Sequence, residues 1–222
     1  MIQTLSTIAR TLVAAATFSV VAISAQAQGV TGDVQAGQKK AEMCIGCHGI
    51  PGYQNSFPEI HKVPKISGQS GAYIVSALNA YKKGDRKHPT MRGIAASLNE
   101  QDMADLGAFY ASHADKTAPE TPRTASTAAA ALVAKGACAS CHGANFSKPI
   151  DPSYPKIGGQ HADYLFFALK AYTVEGNHVI GRSNAIMAGI AKQYTPAEMR
   201  EMAKYLSSVE GELKIVSQPR FK

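Results

Sequence analysis

The chain has 222 residues, 45% of them hydrophobic and 18% charged, with a formal net charge of +7 at neutral pH. That balance excludes a disordered or fibrous chain, and the basic residues form no run interleaved with aromatics, which excludes the usual nucleic-acid surface. Four cysteines are too few for a disulfide-rich scaffold, and the length suits one large domain or two small ones.

At the N-terminus, Arg10 precedes an apolar run from Thr11 to Ile23, and Ala25, Gln26 and Ala27 follow it. This three-part pattern predicts a secretory signal over residues 1–27, cleaved after Ala27. The run is shorter than the roughly twenty residues a spanning helix needs. A retained anchor is the alternative, and both readings put the rest of the chain outside the cytoplasm, in the periplasm.

Asp33 is placed to cap a helix that leads into Cys44, Ile45, Gly46, Cys47 and His48. Two cysteines separated by two residues and followed at once by histidine form the attachment pattern of a c-type haem. Each thiol can add to one vinyl group, and the histidine is then held beneath the ring, where its imidazole can bind iron. The pattern recurs as Cys138, Ala139, Ser140, Cys141 and His142, behind a helix that Thr127 is placed to cap. A four-cysteine zinc site spaces its pairs by roughly fifteen to twenty residues, far less than the gap here, and no βαβ context supports a thioredoxin-like motif. All four cysteines are used by the two motifs, which therefore predict two covalent haem c groups.

The segments after the two motifs repeat as well. Residues Pro64 to Gln69 match Pro155 to Gln160, and the prolines are placed so that a backbone carbonyl could accept the imidazole Nδ1 hydrogen and fix the tautomer. Ending a turn is the equal alternative. Tyr73, Ile74, Ala77, Leu78 and Tyr81 then share one helical face, as do Tyr164, Leu165, Ala168, Leu169 and Tyr172. Between the two helices of each unit a loop carries Met91 or Met187. A closing helix opens on Asn99 to Asp102 in the first unit and on Thr195, Pro196 and Glu198 in the second. Its apolar positions are Met103, Leu106, Phe109 and Tyr110, or Met199, Met202, Tyr205 and Leu206. No stretch alternates as a strand, so the predicted fold class is all-α. The units span residues 28–116 and 127–222, joined by a linker at 117–126 rich in Pro, Thr and Ala. Neither unit is large enough to bury much core alone, which makes haem part of the interior.

A histidine-bound haem iron completes an electron-transfer site when a second strong ligand fills the other face, and an open face invites oxygen or peroxide chemistry. Met91 and Met187 are the candidates, because they occupy one repeat position outside the apolar helix faces. Met43, Met103, Met199 and Met202 read as core filler. His88 and His178 are the competing ligands. Lys82, Lys83, Asp85, Arg86 and Lys87 read either as a solvated turn or as a basic rim near the first haem that orients an acidic partner or neutralises a propionate.

On these motifs the sequence resembles class I c-type cytochromes, and in its doubled form the dihaem cytochrome c4 family. The resemblance covers both units and leaves out the signal, the linker and the C-terminal tail. It implies two tandem cytochrome c domains related by a pseudo-twofold axis, with propionate edges facing each other. It also implies His48 and Met91 on one iron and His142 and Met187 on the other. Two departures stand out, a longer segment after His48 and a longer second methionine loop. The implied function is a periplasmic electron carrier, not an enzyme, between a quinol-oxidising complex and a terminal oxidase or reductase, with possible peripheral membrane association. The competing class is an enzyme or its subunit: a dihaem peroxidase, or the cytochrome half of a flavin-containing sulfide dehydrogenase.

Overall fold

A computed structural model of the chain describes residues 30–114 and 126–217. The predicted signal, and all of the predicted linker but Ser126, lie outside the described residues. In the first unit the Asp33 carboxylate accepts from the Ala36 N–H and starts α1 (Val34–Lys40); Ala41 interrupts, and α2 (Glu42–His48) carries the first motif to its last residue. The second unit starts one residue earlier than its sequence suggests. Ser126 caps α6 (Thr127–Lys135), so Thr127 is its first helical residue rather than its cap, and α7 (Cys138–His142) holds the second motif. Gly136 and Ala137 separate the two helices, with Ala137 in the left-handed region at φ 47.

The middle helices are α3 (Gly71–Lys83) and α8 (Ala162–Ala171). The closing helices are α5 (Glu100–Ser112) and α10 (Pro196–Ser208), each opened by a reciprocal capping box, Asn99 with Asp102 and Thr195 with Glu198. Both boxes follow the sequence reading. The methionine loops do not. Met91 sits in α4 (Pro89–Ala96) and Met187 in α9 (Ala185–Ala191), each at the third helical position. The cause is local: the His88 and Asn184 side chains accept the N–H of Met91 and Met187 and cap these short helices.

Four two-residue strands complete the described residues: β1 (Gln54–Asn55) pairs with β2 (His61–Lys62), and β3 (Arg86–Lys87) with β4 (Gly181–Arg182), both antiparallel. Two residues are too few for an alternation to show in sequence. The all-α class stands, with the β3/β4 ladder joining the two units.

In the first domain α1 and α3 pack on α5, and in the second α6 and α8 pack on α10. Gly37 permits the first contact, because a Cβ there would lie 2.1 Å from the Asp105 carbonyl oxygen and 2.7 Å from the Phe109 Cβ. Ile45, Ile74, Met103, Leu106 and Phe109 fill the first core, and Phe146, Leu165, Met199, Met202 and Leu206 the second. Met103, Met199 and Met202 are filler as expected. Met43 is not: it is 54% exposed on α2, where it lies beside the cysteines and lines the cavity described below.

Candidate haem sites and the interface between them

The ten residues that share the faces of α3 and α8, together with Cys44, Cys47, His48, Met91, Cys138, Cys141, His142 and Met187, line one continuous cavity of about 730 Å3. The two halves of the repeat thus open onto a common interior. The walls are mainly apolar, which suits a large flat hydrophobic cofactor.

His48 Nδ1 donates to the Pro64 carbonyl at 2.8 Å, and His142 Nδ1 donates to the Pro155 carbonyl at 2.8 Å. A carbonyl only accepts, so each Nδ1 carries the hydrogen and each Nε2 keeps its lone pair. Burial holds both imidazoles below the ordinary histidine pKa, hence neutral. The carbonyl reading of the two prolines is therefore the one the structure shows. Burial also raises the pKa of Cys44 and Cys138.

His88 lines the cavity, but its Nδ1 accepts the Met91 N–H and its Nε2 lies 3.2 Å from Asn55 Nδ2. Burial and the neighbouring His61 and Arg86 push it down to about 4. His178 is exposed and lies outside the cavity wall.

The charged loop before Met91 divides: Lys82, Lys83 and Asp85 are exposed, as a solvated turn requires, whereas Arg86 leaves the turn for the interior. Lys82 Nζ turns back to the Leu98 carbonyl, and Arg86 is buried on β3 directly opposite Arg182 on β4. Arg86 donates to Tyr73 at 3.1 Å and to Tyr164 of the other domain, and Arg182 donates to the same Tyr164 hydroxyl at 3.1 Å. Arg86 Nε has no hydrogen-bond partner, and no carboxylate faces the pair in the contacts of the described residues. Burial alone would raise the Tyr164 hydroxyl, but the two guanidiniums outweigh it and pull the pKa down to about 8. Two adjacent cations, Arg86 buried and Arg182 half-buried, call for anions. Haem propionates would supply them, so the residues present fit the cofactor that the motifs imply. Sequence reasoning missed this pair although its signal was present: each arginine stands at the same offset before its methionine, and Tyr73 and Tyr164 are repeat partners.

The interface is reciprocal. Lys65 N–H donates to Gln160 Oε1 at 3.0 Å and Gln160 Nε2 to the Lys65 carbonyl at 2.8 Å; Lys156 N–H donates to Gln69 Oε1 at 2.9 Å and Gln69 Nε2 to the Lys156 carbonyl at 3.0 Å. The lysine side chains cross as well, Lys65 Nζ to the Gly159 carbonyl at 2.7 Å and Lys156 Nζ to the Gly68 carbonyl at 2.8 Å. The duplicated segments Pro64 to Gln69 and Pro155 to Gln160 thus clamp each other about a local pseudo-twofold axis. At the rim His61 stacks on Phe167, with ring centroids 4.2 Å apart, and Lys170 pairs with Glu59 at 2.9 Å. The C-terminal segment crosses to the first domain, where Lys214 N–H donates to the Ser67 carbonyl at 3.0 Å.

Two haem pockets on a shared interior, each with its histidine fixed in one tautomer, define a class: tandem c-type cytochromes that carry electrons. The cytochrome c family model matches residues 34–114 and again 126–210. A cytochrome c4 of Thiocapsa roseopersicina is 31% identical, with 80% of this chain and 93% of the relative covered. The thiosulfate dehydrogenase electron acceptor of Stutzerimonas stutzeri strain A1501 is 28% identical over 84% of this chain and 90% of that protein. A crystal structure of reduced recombinant cytochrome c4 from Pseudomonas stutzeri matches with a TM-score of 0.60 at 26% identity, covering 81% of this chain and all of that one. The chain belongs to the dihaem cytochrome c4 family, with two tandem cytochrome c domains and two covalently bound haem c groups.

Proposed function

We propose that this dihaem electron carrier works in the periplasm, accepting electrons from a quinol-oxidising complex or a periplasmic dehydrogenase and delivering them to a terminal oxidase or reductase. In this reading Cys44 and Cys47 attach the first haem, with His48 and Met91 on its iron; Cys138 and Cys141 attach the second, with His142 and Met187. The bound groups supply a one-electron iron couple. The observation that carries the proposal is that both methionines line the shared cavity while each histidine competitor is diverted, His88 to capping and His178 to the surface. A peroxidase needs one open iron, and the repeat supplies a ligand candidate at both.

Each chain residue then has a task. The Pro64 and Pro155 carbonyls orient the imidazoles. The Tyr/Arg cluster would neutralise propionate charge between the domains. Thioether sulfur is a soft, neutral donor that favours ferrous iron, so His/Met ligation raises the reduction potential relative to a second imidazole, as a carrier feeding an oxidase needs.

The relative named as an electron acceptor of thiosulfate dehydrogenase favours one extension: the donor is a periplasmic sulfur-oxidising dehydrogenase. Stopped-flow mixing of the mature protein with quinol-oxidising membranes and, separately, with a purified thiosulfate dehydrogenase tests both donors. Rapid reduction of two haems per chain by one of them is expected. Failure of both to reduce it, or steady peroxide turnover, contradicts the carrier reading. Domain limits of 28–116 and 127–222, with removal of 1–27, are part of the proposal; the mass of the mature protein should equal a chain starting at Gln28 plus two haem groups.

A further inference from the structure

The peptide group between Pro64 and Lys65 is used from both sides. Its carbonyl accepts the His48 Nδ1 hydrogen at 2.8 Å, and its N–H donates to Gln160 Oε1 of the other domain at 3.0 Å. The peptide between Pro155 and Lys156 does the same, taking His142 Nδ1 at 2.8 Å and donating to Gln69 Oε1 at 2.9 Å. In a trans peptide the N–H and C=O point in opposite directions, so each unit is a relay from histidine to peptide to the other domain's glutamine. Both glutamines are buried, 3% and 4% exposed. Their amide orientation is fixed, because Oε1 also accepts the N–H of Ser70 or His161 and Nε2 donates to a lysine carbonyl.

We propose that Gln160 and Gln69 are crossed positioning residues: each tunes the axial histidine of the haem in the other domain, through the proline–lysine peptide that separates them. Hydrogen bonds in a chain polarise one another. A glutamine oxygen drawing on the Lys65 N–H makes the Pro64 carbonyl a stronger acceptor, which gives the His48 ring more imidazolate character and its iron more electron density. The first haem is thereby held at a lower potential than it would have if the domains parted, and the second likewise through Gln69. The proposal rests on His48 and His142 being the axial ligands.

The test uses the mature dihaem protein. Each haem's midpoint is measured by NMR-monitored redox titration, with the His48 and His142 Nδ1–H resonances assigned in the reduced state. Gln160→Met is expected to raise the midpoint of the first-domain haem more than that of the second, and to move the His48 Nδ1–H signal upfield while His142 stays in place. Gln69→Met should give the mirror image. A shift confined to the variant's own domain, or none at all, overturns the proposal. Should Gln160→Met move both haems together by parting the domains, Gln160→Glu decides. It keeps an acceptor for the Lys65 N–H, and the relay requires the His48 signal to move downfield alone; a signal that does not move overturns it. Lys170→Gln, which breaks the rim pair with Glu59 outside the relay, should leave both histidine signals unchanged, and a crossed shift there also counts against the relay. If neither histidine shows a haem-shifted ring signal in the wild type, it is the axial assignment that has failed.

Discussion

The two domains agree where they meet and differ where they are merely held together. At the centre of the interface the features are doubled: Lys65 with Lys156, Gln69 with Gln160, Arg86 with Arg182, and the proline carbonyls on His48 and His142; the stack of His61 on Phe167 and the Lys170–Glu59 pair at its rim are single. Away from it the repeat loosens. In the first domain Asp105 on α5 is 2% exposed and gathers the Asp33 N–H at 2.8 Å, Lys40 Nζ at 2.6 Å and Gln101 Nε2 at 2.8 Å, tying α1 to the closing helix. Its repeat partner Glu201 accepts from Ser126 Oγ, at 3.3 Å, on the protein surface. The cap of the methionine helix also changes, from His88 to Asn184. The crossed clamp, the paired arginines and the histidine-orienting carbonyls are kept in both copies, whereas the brace at Asp105 and the cap at His88 are not.

The strongest way to break this comparison is to open one iron and watch the other. Met187→Ala should let carbon monoxide bind one haem per ferrous chain, as should Met91→Ala, while the wild type binds none. If Met187→Ala leaves the second haem closed and His178→Ala opens it, that site is bis-histidine and the two domains are not equivalent at the metal.

The bracing difference predicts unequal stability. Asp105→Asn weakens three bonds to a buried carboxylate and should destabilise the first domain by about 2 kcal/mol, whereas Glu201→Gln should cost the second well under about 1 kcal/mol. Denaturant unfolding followed at each haem separates the two. Equal losses would erase the distinction.

The same carboxylate gives a pH test. Its bond from the Asp33 N–H and its pairing with Lys40 lower the Asp105 pKa to about 2 in the folded state, against 3.8 for the unperturbed group. A depressed folded value means that its stabilisation is complete above the unfolded pKa and is lost as pH falls through the folded one. The first domain should therefore lose stability between about pH 4 and pH 2, and Asp105→Asn should flatten that slope. An unchanged slope would move the effect elsewhere.

A purely redox effect is expected from the shared arginines. Arg86→Gln and Arg182→Gln each remove a positive charge at the domain interface that would disfavour ferric iron, and should lower the reduction potential by on the order of 60 mV, tenfold for a one-electron couple. Because both guanidiniums reach Tyr164, each variant should affect both haems; a shift restricted to one would mean that the cluster is not shared.

Much of this was legible in the chain. The motifs, the matched faces of α3 and α8, and the capping boxes of α5 and α10 all carry local chemistry, and local chemistry shows in sequence. The methionine helices escaped because their caps are a histidine and an asparagine before helices of barely two turns. Met43 looked like filler because helical position alone does not say which face is covered. Arg86 was grouped with its charged neighbours Lys82, Lys83 and Lys87, since only the β3/β4 pairing reveals that it is turned inward. The crossed lysine–glutamine clamp is a contact between copies of one repeat, and an internal repeat shows equivalence, not proximity.

The central claim is that each iron has one histidine and one methionine. The near-infrared charge-transfer band of the oxidised mature protein, diagnostic of iron bound to thioether sulfur, tests it most directly when integrated against haem content. We expect an intensity equal to two methionine ligands per chain, falling by about half in Met91→Ala and in Met187→Ala alike. A wild-type band worth only one methionine, or one that survives Met187→Ala intact, would contradict the account.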